Sequence, residues 1–210
     1  MVRMLEAHGV KHIFGLCGDT TLPFYDALYR TAGDLTHVLT RDERHAAYMA
    51  DAYARVTGRV GVCEGPSGGG ATYIAPGVVE ASESSIPLLA ITSDISVSSR
   101  GRYTLTELDQ EAMFGPLTKF TQVIDNAADL PRILRRAFKE MTTGRPGAAH
   151  PLPAGWSRSL VGRRGARLCP GGPGARRAGL VCRWRTGRPQ CAGRAGLGAA
   201  GTGLLCRYGR

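Results

Sequence analysis

All 17 Asp and Glu residues of this 210-residue chain lie within residues 1–150. Residues 151–210 carry 12 Arg, 14 Gly, 8 Ala and 5 Pro, and they contain no Asp, Glu, Lys, Ile, Phe, Met, Asn or His. Such a segment has too little apolar surface to offset the entropy lost on ordering it. A packed core must therefore come from residues 1–150, and residues 151–210 are expected to form an Arg/Gly/Ala/Pro-rich, disordered tail. The formal charge of +10 divides at the same boundary: 15 − 17 = −2 for residues 1–150 and +12 beyond it. A nucleic-acid partner is thus not expected for the folded part. Only the tail could bind an anionic polymer, through phosphates, without base specificity and with a steep salt dependence.

About 150 residues suit one domain with a real core. No stretch approaches the ~18 uncharged apolar residues of a membrane span. The start, Met1-Val2-Arg3-Met4-Leu5-Glu6, lacks the apolar region of a secretory signal, and it reads as clipped, with a helix beginning at once. A cytoplasmic location is expected. Cys17 and Cys63 stand in the first part, and Cys169, Cys182, Cys191 and Cys206 in the tail, without any C-x-x-C pair. Neither zinc spacing nor a disulfide framework is expected.

Within residues 1–150 apolar runs alternate with amphipathic ones. Strands are expected at 12–16, 36–39, 59–63, 86–91 and 120–124, and Ala148-Ala149-His150 looks like the start of a last one. Pro23 sits near one helix start, and Asp42 or a neighbour can cap the next helix, which has an alanine face (Ala46, Ala47, Ala50, Ala54) and ends at Gly58. Asp129 with Pro131 opens a basic helix running through Met141. This alternation predicts an α/β fold, a parallel sheet of about five strands with helices on both faces. In such sheets ligands sit at the carboxyl ends of the strands.

Three segments there carry candidate chemistry. Arg41-Asp42-Glu43-Arg44-His45 is dense in charge at a strand-to-helix junction. It reads either as a solvated helix start or as the seat of a partly desolvated carboxylate, Glu43, able to hold or move a proton on a ligand nitrogen. The glycine-rich Gly65-Pro66-Ser67-Gly68-Gly69-Gly70 matches neither phosphate-binding fingerprint, and it reads as a tight turn or a close-approach loop against a flat ligand or a partner subunit. Leu108-Asp109-Gln110-Glu111 lies in a polar stretch, as a surface loop with a short helix or as a ligand-facing loop. His45 and His150 have no visible partners and read as structural.

Taken together, Gly9–Gly15 with Gly18–Leu28, Arg41–Gly58, Ser67–Thr72, Gln110-Glu111 and Gly144–Gly147 resemble the thiamine-diphosphate enzymes of the acetolactate synthase group. The resemblance covers residues 1–150 and implies that family's pyrimidine-binding domain. It implies a thiamine diphosphate cofactor, with Glu43 and Gln110 in catalytic roles and cofactor contacts from Glu43, Pro66, Ser67, Gly69 and Tyr73, and Glu43 is expected at the carboxyl end of a central strand, near the Ser67–Thr72 loop and Gln110. Glu43 would hydrogen-bond N1′ of the aminopyrimidine and favour the imino tautomer that generates the ylid, and a 2-oxo acid such as pyruvate would be the substrate. The family's loop often has Pro where Gly69 stands and Asn where Tyr73 stands, and Pro is common at the position of Cys17. The family binds the diphosphate through Mg2+ with a G-D-G motif in another domain, and no G-D-G occurs in this chain. The resemblance therefore implies a homo-oligomer, or a partner supplying the diphosphate-binding domain, and an isolated chain without activity.

The abrupt loss of acidic residues at Pro151 falls where a strand should continue, and Pro151 and Pro153 would remove donors from its ladder. An incomplete last strand is expected, followed by a wrong-frame translation of GC-rich coding DNA, whose codons favour Arg, Gly, Ala and Pro. Sequencing the coding DNA checks this: a shift of one or two bases after the His150 codon should give a continuation with ordinary Asp and Glu content.

Overall fold

A computed structural model describes residues 1–154 except Ala32 and Tyr103, together with the backbone of 184–185 and 188–189. Six strands, β1 (His12–Gly15), β2 (Thr36–Leu39), β3 (Gly61–Gly65), β4 (Leu88–Thr92), β5 (Phe120–Ile124) and β6 (Ala148–Pro153), form one sheet in the order β2-β1-β3-β4-β6-β5. Every pairing is parallel. The helices are α1 (Val2–Ala7), α2 (Leu22–Arg30), α3 (Glu43–Thr57), α4 (Gly69–Glu83), α5 (Gln110–Phe114) and α6 (Leu130–Thr142).

Strand alternation sorts the core into two layers. Ile13, Val62, Leu89, Ile91 and Ala149 face Leu5 of α1, Phe24 of α2 and Leu134's neighbours Ile133 and Ala137 on α6. Phe14, Cys63, Leu88, Ala90 and Ala148 face Ala46 and Ala50 of α3, Ile74 and Val78 of α4, and Phe114 of α5. The alanine face of α3 lets α4 approach closely: a Cβ on Gly77 would stand 2.6 Å from that of Ala47. Local signals end the helices as expected. Asp42 accepts from the Arg44 backbone N–H at the start of α3, and Gly58 closes it at φ 66°.

The last strand corrects the expectation of an incomplete edge. β6 has six residues, all buried, and lies between β4 and β5. The ladder shows how two prolines are accommodated. Lys119 N–H donates to Ala148 O, and Ala154 N–H donates to Ile124 O, so the even-numbered residues of β6 hydrogen-bond toward β5. Asp94 N–H donates to Pro153 O, so the odd-numbered residues point toward β4. Both prolines thus turn their donor-less nitrogens to β4, whose register with β6 stops at Leu89↔Ala149. On the other side the register runs unbroken from Phe120↔Ala149 to Ile124↔Pro153.

The expectation of a disordered, frame-shifted tail falls largely outside the described residues. Taken by itself, the unit Arg167–Arg210 has two described elements, β7 (Trp184–Arg185) and β8 (Arg188–Pro189), paired antiparallel.

Leu89 is fully buried between strands and helices. Leu89→Ala should destabilise the chain by about 2–5 kcal/mol. Chemical denaturation should show a lower midpoint with an unchanged slope.

Candidate functional site

The strand order reverses at β1, which is flanked by β2 on one side and β3 on the other. A crevice opens at such a switch point, outside the carboxyl ends of the strands. The loops after β1 and β3 meet there around Pro66. A Cβ on Gly18 would lie 2.3 Å from the Pro66 ring, and one on Gly70 would lie 2.4 Å from it, so both positions must be glycine for the loops to close. Hydroxyls fasten the arrangement: Ser67 N–H donates to Thr20 Oγ1 (3.0 Å), and Ser93 Oγ, just past β4, donates to the same oxygen (2.6 Å). Ser67 Oγ donates to Thr106 Oγ1 (2.8 Å). Thr106 holds φ 71°, an uncommon conformation for a β-branched residue, at the point where it covers Gly68.

Glu43 is the first residue of α3 and is half-buried. It follows β2, which is an edge strand, so the expectation of a central strand is corrected. It nonetheless reaches the glycine loop, because a Cβ at Gly70 would stand 3.1 Å from Glu43 Oε1. The absence of a Cβ at Gly70 therefore lets the carboxylate pack close to the loop backbone, and the N-terminal end of α3 favours its negative charge. Next to it, Arg44 hydrogen-bonds Asp42 through Nε and Nη2 and holds that carboxyl well below the usual range. The Arg44 guanidinium also lies 5.9 Å from the ring centre of the exposed Tyr73, which stands one turn beyond Gly69 in α4. The glycine-rich turn is shorter than its composition suggests, since α4 already begins at Gly69.

Gln110 is the first residue of α5, which Asp109 caps by accepting from Ala112 N–H. Its side chain is buried, so the surface-loop reading of this segment does not hold for it. Nε2 donates to Ser93 O (2.8 Å), while Oε1 has no hydrogen-bond partner among the described residues. Gln110 therefore joins the Ser67–Thr20–Ser93 cluster through the end of β4. It also lines a pocket of about 270 Å3 with Asp94, Arg100 and Asp109. His150 has the partners that its sequence context hid. Nε2 lies 2.7 Å from Thr92 Oγ1, Nδ1 lies 3.0 Å from Thr121 Oγ1, and the ring stacks on Phe114. Burial pushes its pKa down to about 3. His45 is exposed on α3.

One ionisable residue escaped the reading of the sequence. Glu64 is the fourth residue of β3 and is fully buried. Its Oε2 accepts from the Tyr25 hydroxyl at 2.5 Å. A Cβ on Gly15, in the adjacent strand, would lie 2.2 Å from Oε2, so the glycine makes space for the carboxyl. Burial pushes the Glu64 pKa up to about 7; the Tyr25 and Thr21 hydroxyls pull it back, and the charge of Glu43 adds to the rise. The available signal was an acid inside an otherwise apolar strand, directly before a glycine loop.

Among the described residues, no three His, Cys, Asp or Glu side chains cluster to hold a metal ion. None of the described helices is long and apolar enough to cross a membrane. A family model, "Thiamine pyrophosphate enzyme, N-terminal TPP binding domain", matches residues 1–113. The chain belongs to this family. Its TPP-binding domain is 43% identical over 150 residues to a probable acetolactate synthase large subunit of Methanocaldococcus jannaschii, covering 71% of this chain and 25% of that protein. It is 42% identical over 149 residues to an acetolactate synthase of Arthrospira platensis, covering 70% of this chain and 26% of the relative. An acetolactate synthase of Mycobacterium bovis is 41% identical over 148 residues, covering 70% and 24%. The chain thus spans about a quarter of the length of these relatives. The fold is the α/β fold expected of the TPP pyrimidine-binding domain, with an all-parallel sheet between helical layers.

The pyrimidine end of thiamine diphosphate fits the TPP-binding domain. A half-buried carboxylate lies close to loop backbone that carries no side chain, and a carboxylate suits a protonated ring nitrogen.

The Glu64 shift makes the domain's stability pH-dependent. Its folded-state value of about 7 exceeds the ordinary 4.5, so the folded chain holds more protons than the unfolded chain between these values. Stability contributed by neutral Glu64 is complete below pH 4.5 and is lost as pH rises through 7. Melting curves of wild type and Glu64→Gln should therefore diverge from pH 5 to pH 8, in favour of the variant, by about 3 kcal/mol. His150 is common to both proteins and cancels in the comparison.

Proposed function

We propose that this domain supplies the pyrimidine half of a thiamine-diphosphate site in an acetolactate synthase-like enzyme acting on 2-oxo acids such as pyruvate. The observation that carries the reading is the placement of the Glu43 carboxylate against the bare backbone of Gly70, at the carboxyl edge of a parallel sheet. Glu43 would share a proton with N1′ of the aminopyrimidine across a short, partly desolvated hydrogen bond. Pro66, Ser67, Gly69 and Tyr73 would line the ring's seat. Gln110, whose Oε1 is without a partner among the described residues, would offer an acceptor to a reacting group above it. When bound, thiamine diphosphate supplies a nucleophilic carbon and an electron sink for carbon–carbon bond cleavage and formation. Mg2+ and the diphosphate would be held by residues outside this domain, in a homo-oligomer or on a partner chain. The same reading places the protein in the cytoplasm as a dimeric carboligase of the transferase class. The isolated chain would lack the positioning of the thiazolium, and orientation can supply ~7–11 kcal/mol of barrier lowering. It would therefore turn over no pyruvate.

Thermal unfolding of the purified chain tests the binding reading. Thiamine diphosphate with Mg2+ at a hundredfold excess over Kd should stabilise it by about 2.7 kcal/mol, and Glu43→Gln should abolish most of that gain. An unchanged melting temperature of the wild type at saturating cofactor would overturn the reading. Pyruvate consumption by the chain alone is expected to stay at background, and robust turnover would overturn the claim of inactivity.

A further inference from the structure

Glu64 takes no part in the site as proposed, yet its carboxyl is buried at the same end of the sheet and is tied to a second titratable chain. Tyr25 Oη donates to Glu64 Oε2 and also stands 3.0 Å from His37 Nε2. The Tyr25 and His37 rings meet edge to face at 4.8 Å. His37 is half-buried on β2, the edge strand, while Glu64 lies two strands in on β3. We propose that Tyr25 and His37 form a proton relay linking the buried Glu64 carboxyl to the edge of the sheet, which makes Glu64 a second proton-holding group behind Glu43.

The single Tyr25 hydroxyl hydrogen forces this coupling. When Glu64 is protonated, its Oε2–H donates to Tyr25 Oη and the phenol hydrogen points to a bare His37 Nε2. When the proton moves outward, the Glu64 O–H bond breaks as a new O–H bond forms on Tyr25, and the former phenol hydrogen passes to His37 Nε2. Glu64 becomes a carboxylate, Tyr25 stays a neutral phenol, and His37 becomes an imidazolium that releases Nδ1–H to water. Both states satisfy the same two heavy-atom distances. Burial and the charge of Glu43 on α3 bias the proton inward, against the Tyr25 and Thr21 hydroxyls, which favour the carboxylate; Cys17 in the β1 loop and Cys63 in the same strand are the other titratable groups that interact with Glu64. None of these is a cation. Burial lowers the pKa of His37 and raises those of Tyr25, Cys17 and Cys63, so below a pH of about 7 the mobile proton rests on Glu64 and above it the proton moves outward. The relay's bearing on cofactor chemistry rests on the reading of Glu43 given above, but its existence does not.

The test uses the full chain without cofactor. Infrared titration should show a protonated-carboxyl band, absent in Glu64→Gln, that disappears with a midpoint of about 7. The His37 ring nitrogens, followed by NMR, should switch hydrogen-bonding tautomer at that same midpoint in the wild type and lose that step in Glu64→Gln. In Tyr25→Phe the carboxyl band should persist with its midpoint raised, because a hydrogen bond favouring the carboxylate is gone, while the His37 step is lost. A carboxyl band that vanishes in the ordinary carboxyl range, or a His37 step unchanged in both variants, would overturn the relay. Thiamine diphosphate binding is measured separately, so Glu43→Gln can lose cofactor stabilisation while the relay titration remains, and the two proposals fail independently.

Discussion

The contact of two glycines with one proline ring holds the candidate site together. Gly18 follows β1, Gly70 lies in the first turn of α4, and the Pro66 ring is packed between them at distances that leave no room for a Cβ. The backbones of two loops therefore meet at van der Waals contact where the sheet's order reverses. That approach sets the height of Ser67, lets Thr20 collect hydrogen bonds from Ser67 and Ser93, and leaves the Glu43 carboxylate beside bare backbone. Side chains at either glycine would push the loops apart, and Ser67 and Ser93 would lose their common anchor at Thr20.

Polar groups inside this domain follow two different solutions. His150 lies in the middle of the sheet, and two threonine hydroxyls satisfy both of its ring nitrogens, so burial simply keeps it neutral. Glu64 is equally buried but only half satisfied: one oxygen has Tyr25, and the other has no partner in hydrogen-bonding geometry among the described residues. A carboxyl in that position lowers its cost by keeping its proton. It sits at the end of β3, next to the glycine loop of the candidate site, and perturbed carboxyls are concentrated at such sites for chemical reasons. The strand interior thus carries a structural histidine, and the strand end carries a group whose charge can change near neutral pH.

The domain is a quarter of a much longer protein in each relative compared. The proposed function gives this domain the aromatic ring of the cofactor and leaves the diphosphate to residues outside it; its own residues offer a half-buried carboxylate and a buried amide. These are complementary tasks. Holding a neutral aromatic ring needs shape and one charge-assisted hydrogen bond, whereas holding a diphosphate needs a divalent cation and several oxygen ligands. Under the proposed function, catalysis would arise only where the two sets of residues meet.

The fold was largely legible in the sequence because its signals are local. Short apolar runs marked β2 and β5 to the residue, Asp42 and Gly58 marked the ends of α3, and the Glu43 segment pointed to the family. Propensity and capping act over a few residues, so spacing reveals them. Strand order and register were decided by the tertiary structure. It set Glu43 after an edge strand, and it inserted β6 between β4 and β5 despite two prolines, because their nitrogens happen to face the side where the ladder can end. It alone made Glu64 chemically distinct, since nothing within its strand says that Gly15 will clear space for its carboxyl or that Tyr25, 39 residues earlier, will meet it. Helix ends and strand periods are written into neighbouring residues, whereas the pKa of a buried acid depends on groups that only folding brings within reach.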